Sequence, residues 1–324
     1  MMALPSEDSL RALVTSYARL LSEHGEAFEG AELVTPTAEH FPDRFERTGE
    51  SLVRLLERVA SYSPLGEDVL LEIGLVEDGG GDDDGHCSSG CSRPGARVDG
   101  VQRSGRGYRV PLPVTELANP TRMVCALARG VGAAVLAEAE VPVDPEDVGA
   151  MSEVAAALSG FGVVLLEGSH VYAKSCGGPS IHQGTALSPG ELGVLLALFC
   201  EIAGHDASAA SSSEARARTR TLTTVARKYL GATQLEAFDE AREWVETNAA
   251  LMRKLRDAPE LLCGGAFEIA TKKPGLFSRL FGGKRKEDAE GLAAAPTSPA
   301  RRQRSAEEER RLAEARALVE EELG

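Results

Sequence analysis

The sequence predicts a helix-rich α+β domain over residues 1–271, followed by a flexible C-terminal arm over residues 272–324. Three observations point there. Most of the first 270 residues read as segments with apolar positions at helical spacing, several opened by capping residues. Strand-like runs are few and lie before residue 114, which predicts one small sheet. From about residue 271 the composition turns basic and apolar, then Ala/Pro-rich, then densely charged.

The elements follow in order. Ser6 opens an acidic first turn (Glu7, Asp8), and Leu10, Leu13, Val14, Tyr17, Leu20 and Leu21 recur at helical spacing as far as Gly25. A second helix starts near Thr48, with Leu52, Leu55, Leu56 and Val59 as its stripe. Asp68 to Glu77 alternates in places and reads as a strand. The stretch DGGGDDDGHCSSGCSRPG, 78–95, has almost nothing to bury and reads as a solvated loop. Ala96–Arg103 and Tyr108–Pro113 flank SGRG, the spacing of a β-hairpin with a glycine-containing turn. Asn119-Pro120 is a helix start, with an Asn cap and a Pro where its missing N–H leaves no bond unmade. That helix contains Gly130 and Gly132, each costing about 1 kcal/mol against Ala, so their place suggests close approach by another element. The sheet, within residues 32–113, is expected to pack against it.

Asp144-Pro145-Glu146-Asp147 begins a helix expected to run unbroken into FGVVLLEG, which is apolar all round and therefore buried. Ser188-Pro189-Gly190-Glu191 is a capping box opening LGVLLALFCEIAG. Asp206 to Glu214 reads as an Ala/Ser-rich loop. A helix through Val225, Tyr229 and Leu230 stops at Gly231. Thr233 and Glu236 read as a second capping box, ahead of one long helix carrying Leu235, Phe238, Trp244, Val245 and Leu251. No repeat of fixed period occurs.

Composition excludes several function classes. With 43% hydrophobic and 26% charged residues, the 324-residue chain is neither fibrous nor wholly disordered. Of 35 basic and 50 acidic residues, 12 and 10 lie from Lys272 onward, leaving 23 and 40 in the rest. An acidic globular part with 5% aromatics argues against nucleic acid as a partner. The apolar stretch Leu192–Cys200 is too short for the roughly 20 residues of a membrane span. MMALPSEDS lacks the basic-then-apolar pattern of a secretory signal. A cytoplasmic protein with six scattered, mostly reduced cysteines is expected.

Few constellations carry chemistry. His86, Cys87 and Cys91 are good zinc donors in a glycine-rich loop, but a structural site needs four ligands and no second Cys pair follows. Partial zinc site and solvated loop both stay open there; no other cofactor is suggested. Asp82-Asp83-Asp84 lacks calcium-loop spacing. Cys125 and Cys200 sit on apolar helical stretches and read as core. HVYAKSCGGPSIH, 170–182, offers Cys176 beside His170 and His182 as nucleophile and base, without any local signature; its plainer reading is a turn between two buried helices. There is no GxxxxGK[ST] loop, no helix after the glycines of GVQRSGRG, and no GxSxG elbow.

The order helix, strand, hairpin, then NPTRMVCALARGVGAAVLAEAEVPVDPEDVGAMSEVAAALSGFGVVLLEG, with ELVTP at 32–36 and FPDRF at 41–45, resembles bacterial zincin-like, HExxH-type metallopeptidase-like proteins over about residues 30–250. The resemblance implies a helix after the hairpin that carries His-Glu-x-x-His behind a Leu-Ala pair. Laid on Leu127-Ala128, the first His falls on Arg129, the Glu on Gly130 and the second His on Ala133, with Val131 and Gly132 between. Zinc hydrolysis needs two imidazoles one helical turn apart and a carboxylate beside the metal-bound water. All three are gone. Glu153 falls where such proteins could place an acidic third ligand; alone it reads as a surface carboxylate. The expectation is a pseudo-metallopeptidase, a non-catalytic cytoplasmic interaction or scaffold protein presenting its arm. The alternative is a metal-dependent hydrolase using His86, Cys87 and Cys91, with His170 or His182 completing the set.

The arm offers its own chemistry. Leu276, Phe277, Leu280 and Phe281 stand between Lys272-Lys273 and Lys284-Arg285-Lys286. Such a segment suits an anionic membrane surface, at about 1 kcal/mol per basic residue, or a groove on a protein partner, or a linker folded back on the core. AAAPTSPA reads as a linker, and a charged tail helix with Leu312, Ala315, Leu318 and Val319 follows. A protein partner engaged through 272–324 is the leading expectation.

Overall fold

The first helix forms as its cap predicts: Ser6 Oγ accepts from Ser9 N, and α1 runs Glu7–His24. It belongs to a computed structural model that describes residues 4–46, 48–77, 100–175, 178–182, 184–205 and 211–270, with backbone alone for 172–175 and 178–182. These residues lie in one unit, Met1–Lys272. The loop at 78–95 and the arm from 272 fall outside the described residues.

After a 3₁₀ turn at Gly25–Phe28 come α2 (Gly49–Ala60), β1 (Leu70–Val76), β2 (Gln102–Ser104) and β3 (Gly107–Pro113). Thr48 Oγ1 caps α2 by accepting from Ser51 N. The sheet order is β1-β3-β2. β2 and β3 form the hairpin expected at SGRG, where Gly105 takes a left-handed φ of +58°. β1 pairs with β3 in parallel, Leu70 opposite Gly107 through Val76 opposite Pro113. Among the described residues the three-stranded sheet begins at Leu70, so the stretch from Glu32 is not part of it. Val34 N instead donates to Gly160 O.

α3 (Pro120–Glu138) is capped by Asn119 Oδ1, which accepts from Thr121 N and Arg122 N. Its two glycines let neighbours in on different sides. A Cβ on Gly130 would collide with Val110 Cγ1 of β3, and one on Gly132 with the Ser152 carbonyl. The helix therefore seats directly on the sheet and on α4 (Val148–Ala156).

The helix expected from Asp144 to Gly168 is two helices. Asp144–Asp147 forms a turn, with Asp147 N donating to Asp144 O, and α4 starts only at Val148. At Gly160 φ is +93°, the chain kinks, and α5 (Gly162–Gly168) follows. A Cβ at Gly160 would strike the Glu32 carbonyl, so the kink is where the incoming chain crosses. Val148–Gly168 is, by length and composition, apolar enough to cross a bilayer, with a mean hydropathy of 1.7 in its most apolar window, and so exceeds Leu192–Cys200. In this fold 89% of that window is buried, so the protein's own core covers the surface that lipid would cover.

The segment read as a turn at 170–182 is a hairpin, β4 (Val171–Ser175) against β5 (Gly178–His182). α6 (Pro189–Gly204) has the complete capping box: Glu191 N donates to Ser188 Oγ, and Ser188 N donates to Glu191 Oε2. α7 (Ser212–Lys228) starts inside the expected loop, because Ser211 Oγ caps it through Glu214 N. α8 (Ala232–Thr247) has no capping box, since Thr233 already lies in its first turn. Gly231 is the cap, and its N–H donates to Glu167 Oε1 at 2.6 Å, 64 positions earlier in the chain. Burial pushes the Glu167 carboxyl above its ordinary range, against the pull of that N–H.

The expected long final helix breaks at Asn248, and α9 (Ala249–Asp257) continues. Asn248 is buried and explains the break. Its Nδ2 donates to Trp244 O and Ala270 O, and its Oδ1 accepts from Ala270 N at 2.7 Å. Arg11 donates to the carbonyls of Gly265 and Phe267 and lies over the Phe267 ring. The chain leading to the arm is thus tied down as far as Ala270.

Candidate functional site

The turn of α3 where the sequence looks for metal ligands, Arg129 to Ala133, lies in the core between β3, α4 and the segment joining β5 to α6. Arg129 stands on a helix otherwise apolar at this level, and its side chain is 9% exposed. Its Nε is 2.9 Å from Glu153 Oε1 of α4. One terminal nitrogen donates to Gly184 O at 2.9 Å.

Glu153 is not a surface carboxylate. Its side chain is 0% exposed. An ionised carboxyl so placed would be prohibitively costly without partners, and here both oxygens are used. Oε1 accepts from Ala186 N at 2.6 Å and Oε2 from Leu187 N at 2.9 Å. Thr185 Oγ1 donates to Leu187 O, closing the turn that presents these amides. Two consecutive backbone donors on one carboxylate, with a guanidinium beside it, neutralise the buried charge and stitch α3, α4 and the entry to α6 together. The close contact at Gly132 sets the helix separation this pair needs.

Cys125 lies one turn before Arg129 and is buried. Burial pushes its thiol up to about 12, with Arg129 opposing and Glu153 adding to the shift, so it is no nucleophile near neutral pH. At the start of α3 a second shielded pair forms, Arg122 gripping Glu116 through two nitrogens at 2.7 and 3.0 Å. Side chains 12% and 9% exposed make it a clamp on the approach to the helix.

His86, Cys87 and Cys91 lie outside the described residues, as do Cys176 and the arm residues Leu276, Phe277, Leu280, Phe281, Lys284, Arg285 and Lys286. His182 is placed by its backbone, opposite Val171 in the hairpin. His170 is half-buried after α5, and its carbonyl accepts from Gln234 Nε2. Among the described residues no three His, Cys, Asp or Glu side chains come together as a metal-holding group. The sequence carries a signal that Arg129 and Glu153 each need a partner, though not which partner. Each is an isolated charge in an otherwise apolar helical run, ALARGVGAA and MSEVAAAL.

Fold and site together define a helix-rich α+β domain with a buried Arg129–Glu153 ion pair in its core. The chain matches no protein-family model, no curated protein and no solved structure.

Proposed function

We propose that this is a non-catalytic, zincin-like scaffold or interaction protein of the cytoplasm, in which a buried ion pair occupies the place of a catalytic metal. The single observation that supports this is Arg129 held against Glu153, whose two oxygens already accept the Ala186 and Leu187 amides. A guanidinium carries donors only and stays protonated, so it cannot ligate zinc. Gly130 and Ala133 bring no donor at the positions of the catalytic Glu and second His. The residues at this turn do not fit a hydrolytic zinc ion. They fit a fixed internal cross-link, which keeps the architecture without the chemistry.

On this reading the working part is the arm. Leu276, Phe277, Leu280 and Phe281, with Lys284, Arg285 and Lys286, engage a protein partner. An anionic membrane surface is the other occupant their chemistry admits. The Asn248–Ala270 bonds give that arm a fixed point of departure.

Metal analysis and a peptide-cleavage assay on the purified full chain test the proposal. We expect no retained stoichiometric zinc and no chelator-sensitive cleavage. Stoichiometric zinc lost in Cys87→Ser or Cys91→Ser, together with hydrolysis that stops on chelation, would replace the proposal with a metal-dependent hydrolase.

A further inference from the structure

The three-stranded sheet has two edges of unequal kind. β2 is three residues long and offers little to pair with. β1, seven residues from Leu70 to Val76, forms the other edge, and among the described residues no strand pairs with its outer side. Alternate N–H and C=O groups of β1 therefore point away from the sheet, a row ready to bond another strand. Edge strands are ordinarily protected by brevity, lysine or proline. β1 reads LLEIGLV, with one charge, no lysine and no proline. Its apolar side chains are also open: Leu70 is 61% exposed and Leu75 56%.

We infer that β1 is a homodimer interface, pairing antiparallel with β1 of a second copy in the register centred on Ile73. The occupant follows from the strand's own sequence, which reads nearly the same in both directions about Ile73. In that register Leu70 falls opposite Val76, Leu71 opposite Leu75, Glu72 opposite Gly74, and Ile73 opposite itself. Every facing pair is apolar except the one with Glu72, which meets a glycine and no second charge. On its own sheet the Glu72 carboxylate accepts from Ser104 Oγ at 3.1 Å and lies 3.5 Å from an Arg109 terminal nitrogen. Centred one residue earlier, the two Glu72 side chains would stand directly opposed, which like charges disfavour. Centred one residue later, Leu70 and Leu71 would have no partner within the strand. Opposed residues of an antiparallel pair share a face. Leu71, Ile73 and Leu75, which stand beside the buried Tyr108, Val110 and Leu112 of β3, thus meet the same three residues of the second copy and continue the apolar layer across the junction. The pairing covers both exposed leucines. A seven-residue strand buries less than a standard-size interface, so the dimer is weak and reversible. The inference rests on neither the Arg129–Glu153 pair nor the arm.

Sedimentation equilibrium on the full chain tests it, from about 1 to 500 µM protein and at about 0.5 M salt, which screens the charge of −15 on each copy. The mass should climb from 34.2 kDa towards twice that value, with a Kd of about 10–100 µM. Amide hydrogen exchange at the two ends of that range should slow within residues 70–76 at the high concentration. Leu75→Glu changes a side chain more than half exposed and should keep the parent's circular dichroism. It should weaken the dimer about tenfold or more, because the new charge enters twice, each time opposite Leu71. A chain that stays monomeric to about 500 µM overturns the inference and leaves the edge to an extended segment of a different protein. A dimer equally tight in Leu75→Glu also overturns it, as does one whose exchange slows only outside residues 70–76.

Discussion

The Arg129–Glu153 locus and Tyr17 both bury polar atoms among apolar helices, yet they differ in what those atoms hold together. At the first, the carboxylate oxygens accept the Ala186 and Leu187 amides, with the Arg129 guanidinium at ion-pair distance. At the second, a hydroxyl equally shut from solvent lacks a hydrogen-bond partner among the described residues. The first arrangement holds a structure together, because removing any member strands the others. The second contributes no hydrogen bond to that framework. The bonds at the first join three segments of the fold, and the hydroxyl at the second adds none.

The sharpest way to break this contrast is Glu153→Ala. It leaves a guanidinium and two amides without their acceptor, and should cost about 3–5 kcal/mol in denaturant unfolding. The double variant Arg129→Met with Glu153→Leu should recover the part due to the stranded guanidinium, while the two amides stay without their acceptor. A loss under about 1 kcal/mol in the single variant would mean the pair is not the cross-link described, since surface ion pairs have that value.

Each region also holds a buried thiol, Cys125 beside Arg129 and Cys200 beside Tyr17. Both pKa values rise on folding, from 9.0 to about 12. The folded state keeps protons that the unfolded chain gives up, so this contribution is whole below pH 9 and declines as pH climbs from 9 to 12. Roughly 2–3 kcal/mol should be gone by pH 10 from the pair, at about 1.4 kcal/mol per thiol and pH unit. Denaturant melts from pH 8 to 10 check the slope, and replacing both by Ser should flatten it.

Gly132→Ala sharpens the geometric half of the comparison. Alanine is the better helix former by about 1 kcal/mol, but its Cβ meets the Ser152 carbonyl. A net loss of about 1–3 kcal/mol is expected from the forced separation of α3 and α4, visible as a lower denaturation midpoint. The smallest effect belongs to Tyr17→Phe. Its stability should equal that of the parent or exceed it by up to about 1 kcal/mol, because no bond is lost. A clear destabilisation would show that the hydroxyl already has a partner in solution.

What was legible in the sequence was local. Asn119 and Ser188 cap their helices as read, and Ser6 and Thr48 cap theirs at the starts read for them, because a cap and the amide it serves lie two or three residues apart. Gly130 and Gly132 were readable as close approaches, though not the partners they admit. The misreadings have one origin. Gly231 is bonded to Glu167 of another helix, Gly160 kinks where the chain at Glu32, more than a hundred residues upstream, crosses it, and Asn248 breaks a helix to hold Ala270. Each replaces a local preference with a distant bond. Arg129 and Glu153 were both singled out by number, one as a lost ligand and one as a surface charge, and neither as the other's partner.

By itself the sequence determined the helix-rich α+β class, the hairpin turn at SGRG and the acidity of the folded part, because capping, periodicity and charge are properties of neighbouring residues. Only the tertiary structure decided that two lone charges meet in the core and that a tyrosine on an apolar helix face keeps its hydroxyl unspent. The physical reason is that a buried polar group takes its free energy from whatever stands across from it, and chain order does not say what that is.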